Sequence, residues 1–112
     1  MNDKQIVSVL TYLAEASKNK QLNWEHDIEG DFRLTFPKSS IGLEKSNTGV
    51  YIKFYNDQGI AILTVGPHNV MRFGLAPDVL DFIYRQAENQ IYRHDETIED
   101  ILSNLTQPRS KR

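Results

Sequence analysis

The sequence predicts an α+β domain: an N-terminal helix, an antiparallel sheet of four to five strands, and two C-terminal helices packed on one face of the sheet. Three observations carry this expectation. Apolar residues recur at helical spacing from Asp3 to Lys18 and again after Pro77, but at alternate positions between Trp24 and Val65. Turn-forming residues divide that middle stretch into short pieces. With 112 residues there is length for one hydrophobic core and not for two independent ones.

The first helix places Ile6, Leu10, Leu13, Ala14 and Ser17 on one stripe, with Asn2 and Gln5 at the spacing of a capping box and Asn19 as a left-handed stop. Trp24, His26 and Ile28 then alternate with Glu25, Asp27 and Glu29. After a turn at Gly30-Asp31, Phe32, Leu34 and Phe36 alternate with Arg33 and Thr35 until Pro37 stops the strand. Trp24 joins Ile28, Phe32 and Phe36 as an expected core residue, since aromatic side chains dominate cores. A short strand at Ile41–Leu43, a turn at Asn47-Thr48-Gly49, a strand from Val50 to Tyr55, a glycine turn at Asn56–Gly59 and a fifth strand from Ile60 to Val65 complete the meander. His68 to Gly74 reads equally as an edge strand or a loop. Pro77 and Asp78 open a helix whose buried stripe is Leu80, Ile83, Tyr84, Ala87 and Ile91, ending near Arg93. Asp95 caps a last helix with Ile98, Ile101, Leu102 and Leu105 inward, closed by Pro108. Residues 1–107 therefore form the domain, and 108–112 a basic tail.

Composition bounds the function. With no cysteine, the chain has neither a disulfide framework nor a thiolate metal site. No apolar run is long enough for a signal-peptide core or a membrane span, so a cytoplasmic setting without a membrane partner is expected. Arg109, Lys111 and Arg112 supply three of the 13 basic residues; positions 1–108 hold ten basic against fifteen acidic residues, a body near −5. That charge repels phosphate and disfavours a nucleic-acid partner.

Several residues invite a chemical reading. Glu25, His26, Asp27, Glu29 and Asp31 are metal-ligand types, but in a strand His26 points away from Glu25 and Asp27, so no metal centre is expected. His94-Asp95 or His68 could serve a small enzyme or a ligand-binding protein, yet no nucleophile, phosphate loop or dinucleotide fingerprint accompanies them. No catalytic residue or cofactor is therefore assigned. The leading expectation comes from the outer sheet face. With Ile52, Phe54, Ile60 and Ile62 turned to the helices, Arg33, Tyr51, Lys53, Tyr55 and Leu63 lie together on the other side, beside Thr35, Ala61 and Val65. Aromatic, basic and aliphatic groups with few carboxylates match an interface core. A non-enzymatic module that self-associates or binds a protein partner through this face is the function expected. A mobile-element or conflict-system protein that binds a nucleic-acid enzyme by acidic mimicry is a further alternative.

Leu22-Asn23-Trp24-Glu25, Asp31-Phe32, the run Tyr51-Ile52-Lys53-Phe54-Tyr55-Asn56-Asp57-Gln58-Gly59, and the C-terminal set Leu80, Ile83-Tyr84, Ala87, Asp95, Ile98, Ile101-Leu102 and Leu105 carry a resemblance. On these residues the chain resembles a group of small uncharacterised bacterial proteins with an N-terminal helix, a tryptophan strand, a meander and a C-terminal helical signature. The resemblance implies the fold and a bacterial, cytoplasmic setting. It implies no activity, and Glu88 stands where the group usually has arginine.

Overall fold

The computed structural model describes residues 2–107. The basic tail expected at 108–112 lies outside the described residues. The chain runs α1 (Asp3–Lys18), β1 (Glu25–His26), β2 (Phe32–Phe36), β3 (Ser39–Ser46), β4 (Gly49–Tyr55), β5 (Ala61–Val65), α2 (Pro67–Val70), α3 (Val79–Tyr92) and α4 (His94–Thr106). The strands form one sheet in chain order, each antiparallel to the next. This is the α+β architecture the sequence predicts.

The capping box at the start of α1 is formed in both directions. Gln5 N donates to Asn2 Oδ1 at 2.9 Å, and Asn2 N donates to Gln5 Oε1 at 3.0 Å. Two orphan donors of the first turn are thereby satisfied. At the other end the left-handed residue is Lys20, with φ of 58°, one position later than the expected Asn19. The buried stripe is Ile6, Leu10, Leu13, Ala16 and Ser17, with Ala16 in place of the expected Ala14.

Two transverse rows of apolar side chains define the inner face of the sheet. Phe32, Leu43, Ile52 and Val65 pair across β2 to β5, and Leu34, Ile41, Phe54 and Leu63 pair beside them. All but Leu63 are buried, and Leu63 packs against the same cluster. A pleated sheet turns alternate residues to one side, so this register brings both rows beneath α1 and α3, which pack on each other.

Three expectations are corrected here. β1 holds only Glu25 and His26, because the chain turns at once: Asp27 N donates to Asp31 O at 3.3 Å, and Glu29 N donates to Asp27 Oδ1 at 3.2 Å. Ile28 therefore sits fully exposed at the loop tip, while Trp24 is buried as expected. Phe36, at the end of β2, is also exposed. In β5 the phase is inverted. Tyr55 pairs with Ala61 but Phe54 pairs with Leu63, which leaves Ile62 as an extra residue in a bulge. One extra residue exchanges the faces, so Leu63 and Val65 turn inward while Ile60 and Ile62 are exposed.

Residues after β5 form neither edge strand nor open loop at first: α2 starts at Pro67 and buries Val70 completely. The β3–β4 turn abuts it. Gly49 has φ of 130°, and a Cβ there would stand 2.6 Å from Pro67 Cγ, so glycine answers both a backbone and a space requirement. α3 buries Leu80, Ile83, Tyr84 and Ala87, with Ile91 packed at the margin, as the sequence predicts. It starts at Val79, two residues after Pro77.

Tyr84 also makes the main polar tie between helix and sheet. Its hydroxyl donates to Asp31 Oδ2 at 2.9 Å, and the same oxygen accepts from Lys45 N at 2.8 Å. One carboxylate thus joins the β1–β2 turn, β3 and α3. Burial, with the Asp31 bond and charge second, raises the Tyr84 pKa above its ordinary value. Replacing Tyr84 with Phe should cost about 1–2 kcal/mol, read as a lowered urea midpoint at neutral pH. The protonated phenol belongs to the folded state, so its contribution is complete below the unfolded tyrosine pKa of about 10 and is lost as pH rises beyond it. The alkaline fall in melting temperature should accordingly be shallower in Tyr84→Phe than in the parent.

Candidate functional site

Four of the five residues singled out from the sequence share the outer sheet face. Arg33, Gly42, Lys53 and Thr64 pair in one row, with Tyr51 and Tyr55 above and below Lys53 on β4. Leu63 does not join them, because the β5 bulge turns it toward the helices. Arg33, Tyr51, Lys53 and Tyr55 are only half exposed on this face, with Gly66 at the start of α2 lying against the Tyr51 ring. They cover one another.

The centre of the face is a stack built over a glycine. A Cβ on Gly42 would lie 3.1 Å from the Tyr55 ring, so the missing side chain lets that ring lie flat across the sheet. The Arg33 guanidinium sits over the ring, 4.0 Å from its centroid. Arg33 also donates through Nε to Asp27 Oδ2 at 2.9 Å and through Nη1 to Ser40 Oγ at 2.9 Å, while Nη2 lies 2.8 Å from the same Asp27 oxygen. Nearby, Lys53 Nζ pairs with Glu44 Oε1 at 3.1 Å, and this hydrogen bond and charge raise the Lys53 pKa. The Tyr51 hydroxyl meets Thr48 Oγ1 at 2.7 Å. Sequence reasoning identified the bases and tyrosines but not Asp27, Ser40 and Glu44, their partners. Alternation in the strands could have located Ser40 and Glu44; Asp27 reaches Arg33 only through the turn after β1.

This network alters what the face can do. The charges are already paired and the hydroxyl of Tyr51 is engaged, so a partner would meet ring surfaces and a neutralised rim. Asp27 is also removed from any metal site, and Asp31 is committed to Tyr84 and Lys45. Among the described residues, no three carboxylate or imidazole side chains come together as a metal-binding group.

His68 lies exposed in α2. His94 is exposed at the start of α4, stacked on Tyr92 with ring centroids 5.7 Å apart, and Tyr92 meets His26 edge-on at 5.3 Å. Neither His68 nor His94 has a side-chain hydrogen bond to a carboxylate or hydroxyl among the described residues. Asp95 does not cap α4. The cap residue is Arg93, in the left-handed conformation, and Asp95 N donates to Asn89 Oδ1 at 2.9 Å.

The largest departure from expectation is α4. Ile98, Ile101, Leu102 and Leu105 form the expected stripe, but they are 55, 46, 53 and 76% exposed, and no residue of the helix is buried. α4 follows α3 through one left-handed residue and rests chiefly on that helix, which carries it along an elongated molecule of 61 × 30 × 27 Å. Helical periodicity shows that a stripe exists; it says nothing of what lies opposite it. A second apolar surface is a groove of about 480 Å³ between α1 and the sheet, lined by Val9, Tyr12, Phe36, Ile41, Phe54 and Ile62 among others. Tyr12, lying off the buried stripe of α1, was the available sequence signal for it.

Comparisons with protein-family models, with curated proteins and with solved structures each found no match. No helix among the described residues is long and apolar enough to cross a membrane.

The two ion pairs of the outer face should differ in worth. Asp27 and Arg33 are largely shielded, so Asp27→Ala strands a guanidinium and should cost about 1–3 kcal/mol in a denaturant titration. Glu44→Ala breaks a more exposed pair and should cost less than about 1 kcal/mol.

Proposed function

We propose that this protein is a non-enzymatic interaction module that self-associates, α4 of one copy seating in the α1–sheet groove of another. The observation that carries this reading is the α4 stripe: four large apolar side chains on one face of a helix, each about half exposed or more. An exposed apolar patch of this kind, bordered by charge, is characteristic of an interaction surface.

Several features favour a second copy as the occupant. The groove is itself apolar and no element among the described residues occupies it, so one contact accounts for both surfaces. Basic residues stand near it, Lys4 beside Ser8 and Val9 and Lys38 next to Ser39 in the β2–β3 turn, together with one carboxylate, Asp3, beside Ser8. α4 carries Asp95, Glu96, Glu99 and Asp100 and no lysine or arginine. One helix in one groove is small beside the roughly 1,600 Å² of an ordinary stable interface, whereas reciprocal exchange doubles the contact and closes it with two-fold symmetry.

The outer sheet face supports a second version of the same function. Tyr51 and Tyr55 offer ring area, and pairing of Arg33 and Lys53 with carboxylates lowers the cost of covering them.

The absence of native cysteine makes a direct test available. Tyr12→Cys and Leu102→Cys copies, mixed and mildly oxidised, should cross-link to each other, and light scattering should give a dimer mass for the parent. An Ile101→Glu/Leu102→Glu variant should be monomeric with an unchanged circular dichroism spectrum, while Tyr51→Glu/Tyr55→Glu should remain dimeric. The reverse pattern in those two variants would assign the interface to the sheet face. A parent that stays monomeric at all concentrations would overturn self-association.

A further inference from the structure

The groove between α1 and the sheet has a chemistry of its own, apart from any helix that seats in it. Its volume of about 480 Å³ falls within the range of small-molecule sites, about 300–1,000 Å³. Leu13, Ile41 and Phe54, all buried members of the core, line it together with the exposed side chains of Tyr12, Phe36 and Ile62. Among the described residues that line it, none is charged. A surface that opens onto core side chains keeps apolar area in contact with water, and an apolar occupant relieves that contact. Amino acids and nucleotides, polar along their whole length, would leave hydrogen-bonding groups unmet against such a lining.

Charge gathers around Ser8. Ser8 and Val9 belong both to the groove and to a depression towards the start of α1 that Lys4 lines, and Ser8 also borders a further recess that holds Lys4, Asp3 and Arg72. Two cations thus stand against one carboxylate beyond Ser8. Among the described residues, neither Lys4 nor Arg72 forms an ion pair. The helix proposed to occupy the groove has the matching character, with aliphatic side chains beside Glu99 and Asp100. A single alkyl chain that ends in a carboxylate presents the same two kinds of group in one small molecule.

We infer that the groove binds an anionic amphiphile, an alkyl chain with a carboxylate head, the chain against Leu13, Ile41 and Phe54 and the head beyond Ser8 at Lys4, and that this ligand displaces α4 of the second copy. The binding half needs only the groove; the displacement rests on the seating of α4 proposed above. By linkage, a ligand that takes the groove only when α4 is absent lowers the apparent affinity of self-association as its concentration rises.

Decanoate is the probe, titrated by calorimetry below its micelle concentration into the Ile101→Glu/Leu102→Glu variant, in which α4 cannot seat, and into the parent. Saturable binding of decanoate, none of acetate and weaker binding of decyltrimethylammonium are expected. Ile62→Glu in the same background should weaken decanoate by about tenfold or more, because it places a carboxylate in the apolar lining. Ile28→Glu, at the loop tip outside the groove, should leave the affinity unchanged. Lys4→Gln should weaken decanoate about two- to fivefold, the worth of an exposed ion pair, without weakening decyltrimethylammonium. Light scattering of the parent should show dimer giving way to monomer as decanoate rises. Absence of saturable binding, unweakened binding by Ile62→Glu, or equal binding of the two head groups would overturn the assignment. A parent already monomeric that still binds decanoate saturably would keep the ligand site and remove the α4 seating. A dimer that decanoate leaves intact, with the α4 variant monomeric, would keep the seating and remove the displacement.

Discussion

The two rows of apolar side chains that cross the sheet from β2 to β5 are the constraint on which the rest of the molecule depends. Phe32, Leu43, Ile52 and Val65, with Leu34, Ile41, Phe54 and Leu63, must all face the same way, and α1 and α3 supply the surface that removes them from water. Once these rows are set, the opposite face has no freedom: Arg33, Lys53, Tyr51 and Tyr55 must point outward together. The bulge at Ile62 follows from the same demand. Without an extra residue between Ala61 and Leu63, a strand that presents Ala61 beside Tyr55 could not also bring Leu63 opposite Phe54.

The outer face meets the converse problem of aromatic and charged groups with no layer above them. Its answer is mutual cover. Gly42 admits the Tyr55 ring, the ring carries the Arg33 guanidinium, and Asp27 closes the stack from the β1–β2 turn. The acidic character of that turn, which in sequence resembles a ligand cluster, is spent on structure. Asp27 holds Arg33, and Asp31 holds Tyr84 and the backbone of Lys45. Polar groups satisfied in this way give rigidity and leave little free valence for chemistry.

What is unsatisfied lies elsewhere, at the junction of α3 with α4. There one left-handed arginine redirects the chain, four apolar residues of α4 stay in solvent, and Trp24 Nε1 and Ser17 Oγ are buried without hydrogen-bond partners among the described residues. These features share a cause. α1 and α3 already cover most of the inner face, and the elbow that sends α4 away from the groove left open beside α1 also leaves a recess against Trp24.

By itself the sequence determined the order of the three long helices and the five strands, the capping box at Asn2 and Gln5, the buried stripe of α3 and most of that of α1, and the burial of Trp24, because local periodicity and turn chemistry act within a few residues. It also placed Arg33, Tyr51, Lys53 and Tyr55 on one face, since strand alternation suffices for that. Only tertiary structure decided that Leu63 turns inward, that Ile28 stands at a loop tip, that Asp27 belongs to Arg33, and that the α4 stripe faces solvent. Each of these depends on what lies opposite a residue in space. A period of two cannot reveal an inserted bulge, and a period of 3.6 identifies an apolar face without supplying the surface that would bury it.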